Sequence, residues 1–215
     1  DKAAAYLADR FAKLGLKPLG DGNTYLQSIK FKETQFLPQT AFTVGDQTLK
    51  FGTDYFVSPP LSGDKSVSAK MYFVGYGLSV PFLKRNDLGE VDLRGKIAVL
   101  RNGPPPEIGK DQWKKAQGTL NVWRALIQRG AAAIVTIGGD METITFSELA
   151  DYLTRRQVEL DGEQEMPDFL PPFISISESA AEKLFAASGV TRSDAFTRAQ
   201  SSDFRPIDLA QNGSV

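Results

Sequence analysis

Four groups of residues in this chain have types and spacings that suggest chemistry, and each suggests a different kind. Gly75-Tyr76-Gly77 opens like a dinucleotide-binding fingerprint, in which glycines let the backbone approach a pyrophosphate. Gly89 through Gly95-Lys96 has the outline of a phosphate loop. Asp161, Glu163, Glu165 and Asp168 form the one local carboxylate cluster, the raw material of a calcium site. Trp113 and Trp123 lie almost three helical turns apart, which would place them on one face as an aromatic shelf.

Spacing argues against the first three. The third glycine of a dinucleotide fingerprint would fall at Val80, with no helical pattern after it, so Gly75-Tyr76-Gly77 reads as a turn or bulge. The stretch between Gly89 and Gly95 is one residue too long for a phosphate loop. Ile97 stands where a Ser or Thr would hold magnesium, and the lysine leads into a strand instead of a helix N-terminus. The carboxylates lack the glycine and the bidentate glutamate that an EF-hand loop needs, and they read as a solvated acidic loop. The two tryptophans read as core.

The chain contains no histidine and no cysteine. Neutral imidazole is the commonest nitrogen ligand for zinc and the usual general base near neutral pH. Its absence removes a Ser-His-Asp triad, a His-Glu-x-x-His helix and any conventional catalytic zinc site. A carboxylate-only site or a Ser–Lys pair are the remaining catalytic chemistries. The 25 basic and 26 acidic residues are interspersed, so no positive face is built for nucleic acid. No apolar run approaches the ~20 residues that cross a bilayer. Asp1-Lys2-Ala3-Ala4-Ala5 has neither the basic start nor the apolar centre of a signal peptide.

The elements around these groups follow from periodicity. Lys2–Leu16 is an amphipathic helix, with Tyr6, Leu7, Phe11 and Leu14 on its apolar face and Gly15 at its end. Tyr25–Phe31 alternates as a strand does. Ala41–Val44 and Thr48–Phe51 flank a Gly45-Asp46 hairpin turn, and Tyr55–Ser58 and Val67–Val74 follow as strands. Ile97–Leu100 and Ala131–Ile137 are continuous apolar runs suited to strands covered on both faces. A helix over Asp111–Arg129 joins them in a parallel βαβ unit, with Gly118 as a local weakness. A helix over Ser147–Gln157, a strand at Phe173–Ile176, and a helix capped by Ser179 and Glu182 complete the pattern. The fold class is α+β, strand-rich, with a βαβ unit and peripheral helices.

Several segments, taken in order, resemble one family. They are Phe51-Gly52-Thr53-Asp54-Tyr55, Tyr72-Phe73-Val74-Gly75-Tyr76-Gly77-Leu78, Val91 through Leu100, and Gly130-Ala131-Ala132-Ala133-Ile134. Their succession resembles the protease-associated domain inserted in bacterial di-zinc exopeptidases, the aminopeptidase and glutamate-carboxypeptidase-like group. Gly15 through Gly20 and Tyr25-Leu26-Gln27 are similar to the N-terminal piece of the same enzymes.

The resemblance implies a swivelling β/β/α domain. It also implies residues 1–35 belonging to the peptidase domain, 36–190 as the protease-associated domain, and 191–215 as a linker toward a catalytic domain beyond Val215. That domain would hold two zinc ions. In the family, His and carboxylate ligands hold the metals and a Glu activates water; none has a counterpart here, so no catalytic or metal residue is carried over and the substrate-contact residues are unassigned. The expected role is a non-catalytic accessory module of a secreted or periplasmic zinc aminopeptidase, shaping substrate access or contacting extended peptide. Gly103-Pro104-Pro105-Pro106 would be a stiff rim element. The expected partners are its own catalytic domain and a peptide or protein substrate, with neither nucleic acid nor membrane. The alternative is a stand-alone peptide- or protein-binding module. An uncovered Tyr6, Leu7, Phe11 and Leu14 face would favour self-association of the fragment.

Overall fold

The computed structural model describes residues 2–34, 40–58, 66–80, 85–138, 144–161 and 170–215. Glu163, Glu165 and Asp168 of the carboxylate cluster lie outside them. Along the chain run helix α1 (Lys2–Lys13) and strands β1 (Phe31–Thr34), β2 (Thr43–Val44), β3 (Gln47–Thr48), β4 (Tyr55–Val57), β5 (Ser68–Phe73), β6 (Ser79–Val80), β7 (Arg85–Asn86) and β8 (Ile97–Arg101). Then come α2 (Lys110–Lys115), α3 (Gly118–Gln128), β9 (Ala133–Ile137), α4 (Phe146–Leu153), β10 (Gln157–Leu160) and β11 (Phe173–Ile176). Helices α5 (Glu178–Phe185) and α6 (Arg192–Ala199) and strand β12 (Ile207–Ser214) complete the order. No helix among the described residues is long and apolar enough to cross a membrane.

The chain divides into two compact units, Asp1–Thr34 with Arg156–Glu165, and Gln35–Arg155 with Met166–Val215. In the smaller unit α1 stops where Gly15 takes a left-handed φ of 69° that other residues adopt only at a cost. None of its residues is buried: Tyr6 is 63% and Leu14 68% exposed. Strand character arrives later than the alternation at Tyr25–Phe31 suggests. Residues 25–30 are irregular, and β1 pairs antiparallel with β10 from Phe31↔Leu160 to Thr34↔Gln157. The helix expected over Ser147–Gln157 accordingly ends at Leu153, and Gln157 belongs to a strand.

The larger unit is a mixed eight-stranded sheet in the order β3-β2-β12-β5-β8-β9-β11-β4. It is α+β, as the patterning predicts. Strands β5, β8, β9 and β11 are mutually parallel, and β8–α2–α3–β9 is the βαβ crossover read from the apolar runs. Ile97, Ala98 and Val99 of β8 and all of β9 are buried, as strands covered on both faces must be. On one side Phe73 of β5 meets Phe185 of α5, Phe196 of α6 and Phe204 at ring separations of 5.3–5.9 Å. Burying one such ring contributes roughly 1.5–3 kcal/mol. Elsewhere Trp123 of α3 lies 4.8 Å from the Phe173 ring of β11.

Three sequence expectations are corrected here. The stretch after Thr191 is no linker: it forms α6 and then β12, which sits between β2 and β5 near the middle of the sheet. Its polar composition hid the strand because a bulge between Asp208 and Asn212, with Ala210 at φ 55°, breaks the alternation. Only Leu209 and Gly213 of β12 are fully buried. A Cβ on Gly213 would lie 2.9 Å from Met71 Sδ, so glycine lets this strand pack against its neighbours. Second, the helix expected over Asp111–Arg129 is two helices, broken where Gln117 turns left-handed (φ 49°, ψ 44°). Third, the last sequence-predicted helix is capped not by Ser179 but by Ser177, whose hydroxyl accepts from Ala180 N–H at 3.2 Å.

Candidate functional site

In a sheet of parallel strands the loops leaving the carboxyl ends are where ligands are bound, because the strands hold those loops rigidly side by side. Here β5 delivers Val74-Gly75-Tyr76-Gly77-Leu78 and β8 delivers Arg101-Asn102-Gly103, and the two loops are tied by Arg101 N–H donating to Gly75 C=O at 2.8 Å. Gly75 and Gly77 take φ of 61° and 70°, so the sequence motif is a turn, as its spacing indicates. Glycine is required at 77 for packing as well, since a Cβ there would lie 2.8 Å from Val122 Cγ1 of α3.

That turn wraps a buried charge. Asp87 Oδ2 accepts from Tyr76 N–H at 3.0 Å and from Leu78 N–H at 3.3 Å. Its other oxygen accepts from Arg85 Nε at 2.8 Å. Arg85 is only 2% exposed. Its guanidinium also reaches Glu107 Oε1 at 2.6 Å and the carbonyls of Ala199 and Gln200 at the end of α6. Burial pushes the Asp87 carboxyl above its ordinary range, against the pull of the Arg85 guanidinium and the two amides. One ion pair thus joins the β5 loop, the β6–β7 ribbon, the loop after β8 and the end of α6. Its chemistry is structural, because every strong partner it could offer a ligand is already taken within the fold.

Beside this network, at the carboxyl end of β8, lies a shallow open crevice whose enclosed part has room for no more than about one water. Tyr76, Arg101, Asn102, Trp113, Thr119 and Trp123 are among its lining. Arg101 donates to the Tyr76 hydroxyl at 3.2 Å and lies over the Phe196 ring at 4.7 Å, a cation–π contact. Burial raises the Tyr76 hydroxyl above its usual pKa, against Arg101 and Arg85, so it stays protonated. Trp113 Nε1 donates to Thr119 Oγ1 at 3.3 Å. Trp123 Nε1 is buried with no acceptor among the described residues. The two tryptophans are on separate helices; both are partly buried and pack against the core, as read, and both also line this opening. Gly103 is on the lining too, whereas Pro105 of the expected rim is buried.

The other sequence candidates resolve as turns. Between Gly89 and Lys96, Arg94 donates to Asp92 at 3.0 and 3.1 Å and holds that carboxyl down at about 2. Lys96 Nζ donates to Asp92 C=O at 2.7 Å, so the lysine closes its own turn instead of facing a phosphate. Among the described residues no group of three or more carboxylates is placed to hold a metal ion. Arg85, Asp87 and Arg101 were not singled out from sequence. A charged residue ending the apolar run Ile97–Leu100 was the available signal for Arg101; nothing local marks Arg85 as buried.

No family model matches the chain, and no curated protein matches it. Among solved structures the chain is similar to the aminopeptidase from Aneurinibacillus sp. strain AM-1, with a TM-score of 0.42 and 16% identity, over 100% of this chain and 37% of that one. It is also similar to BSAP, a zinc aminopeptidase from Bacillus subtilis, with a TM-score of 0.40 and 13% identity, over 99% of this chain and 36% of that one. The chain thus spans little more than a third of the length of either structure.

Proposed function

We propose that this chain is a non-catalytic accessory module of the protease-associated type, belonging to a secreted zinc aminopeptidase whose two metal ions and catalytic residues lie in another part of the protein. The observation that carries the reading is where the family-like segments fall. Tyr55 is in β4, Tyr72-Phe73 closes β5, Ile97–Leu100 forms most of β8, and Ala133-Ile134 opens β9, all in one sheet. Four segments scattered over some eighty residues of sequence resemble the family together and pack together.

The chemistry of the chain is in keeping with that role. It has no imidazole or thiolate, and the one fully buried acid among the described residues is paired with an arginine within the fold. What it offers is shape: a mixed sheet whose parallel strands present loops that narrow an approach or touch a peptide passing along it. An exopeptidase has to admit one chain end and exclude folded protein, and a module of this kind supplies a wall for that purpose.

The test is turnover. With aminoacyl chromogenic substrates the 215-residue chain is expected to release no amine, with or without added zinc. Saturable release that persists through independent purifications, and is lost with a chelator, would contradict the reading.

A further inference from the structure

The geometry points to the Arg101 crevice as a receptor for a single carboxylate-bearing residue of an extended peptide, a site that rests on the peptide-contacting role proposed above and sharpens it. The cation comes first. Arg101 carries a forked guanidinium with five N–H donors, and the described residues give that fork one acceptor, the neutral Tyr76 hydroxyl at 3.2 Å. No carboxylate among the described residues lies within ion-pairing distance of it. Glu107 of the neighbouring loop is taken by Arg85 at 2.6 Å. Partly buried arginines are normally matched by an anion, because desolvating the guanidinium without one is costly.

Position and size narrow the occupant. The Phe196 ring at 4.7 Å and the Tyr76 ring at 5.7 Å hold the guanidinium at the carboxyl end of β8, the edge at which parallel sheets bind ligands. The crevice is open to solvent, and its enclosed part has room for no more than about one water. What it admits is a single carboxylate reaching the guanidinium at the mouth. Two indoles and Val122 supply apolar walls, and the fork matches a carboxylate in the bidentate manner that a point cation cannot. A carboxylate can come from an aspartate or glutamate side chain or from a free C-terminus, and the crevice recognises the group common to both.

Trp113 and Trp123 are the chain's only tryptophans, and both line the crevice, so intrinsic fluorescence reports on this site alone. Three probes separate the cases: acetyl-Leu-Leu-Glu-amide, acetyl-Leu-Leu-Leu with a free carboxyl terminus, and the neutral acetyl-Leu-Leu-Leu-amide. We expect saturable quenching by at least one of the first two, with the neutral probe at least ten-fold weaker; which of the two binds identifies the source. Arg101→Gln should reduce carboxylate binding ten-fold or more, to the neutral level, while Arg124→Gln, an exposed cation on α3, leaves it unchanged. Should Arg101→Gln fail to fold, the unmodified chain still decides, since carboxylate affinity must fall with added salt and neutral affinity must not. Equal binding of all three probes, indifferent to Arg101→Gln, would overturn the carboxylate site and leave peptide contact standing. No quenching by any probe at millimolar concentration would overturn the site outright, with the accessory role judged separately by turnover.

Discussion

Replacing Asp87 with alanine is expected to lower the free energy of unfolding by about 3–5 kcal/mol, the cost of breaking a buried ion pair from one side. The change leaves the Tyr76 and Leu78 amides without their acceptor and the Arg85 guanidinium without its buried counter-charge. Glu107 is a weak substitute, because its side chain is 47% exposed and its attraction for Arg85 is screened by water. Domains of ordinary stability hold about 5–15 kcal/mol in total, so this single change should shift the urea midpoint far more than any surface substitution. The double change Arg85→Met with Asp87→Leu should recover the part of the loss due to the unpaired guanidinium, while the Tyr76 and Leu78 amides stay without their acceptor. A single-mutant loss below about 1 kcal/mol would show that the pair does not hold these four segments together.

The second large effect is expected at Gly118. An exposed glycine inside a helix gains about 1 kcal/mol when changed to alanine, and that is what sequence reasoning alone predicts for this position. The structure reverses the sign. Gly118 is buried, and a Cβ on it would lie 2.3 Å from Trp113 Cδ2 and within 2.5 Å of two further ring atoms. The Trp113 ring must therefore leave its seat against α3 and break its bond to Thr119. Overpacking of this kind costs about 1–3 kcal/mol, and the helix propensity gained recovers only part of it. Gly118→Ala should lower the urea midpoint and red-shift the tryptophan emission as one indole becomes wet. A raised midpoint with an unchanged spectrum would place Trp113 elsewhere.

Gly118 also illustrates why parts of this fold could be read in advance and others not. Ile97–Leu100 is an unbroken apolar run, Ala133–Ile137 and Phe173–Ile176 are apolar but for Thr136 and Ser175, and all three are strands of one parallel group. The Gly45-Asp46 turn between β2 and β3 follows from local chemistry, since Gly45 takes a φ of 55°. The errors share a different cause. Gln117 breaks a continuous helical pattern with a left-handed residue that composition does not mark, and Trp113 then folds back onto Gly118. Ser177 and Ser179 are both competent caps, and the backbone geometry that selects Ser177 is set by β11 leading into α5. Strand β12 is polar, bulged and half-exposed, and it is placed by its neighbours β2 and β5 through pairings distant in sequence.

The candidate site was harder to read because it depends on long-range contacts. Arg101 is significant because Tyr76 and Phe196, far from it in sequence, hold it while no acid among the described residues answers it. Arg85 and Asp87 sit close together in a polar stretch that reads as surface. Only the carbonyls of Ala199 and Gln200, more than a hundred residues on, reveal that the arginine is enclosed. Trp113 and Trp123 were noticed for their spacing on one helix, yet they meet because the helix is broken between them.

The account stands or falls on whether the hydrolytic chemistry lies beyond this polypeptide. Sequencing the reading frame past the codon for Val215 measures that directly. We predict that translation continues into a segment carrying histidine and carboxylate residues able to bind two zinc ions. A stop codon there, with no such segment upstream of Asp1 either, would contradict it.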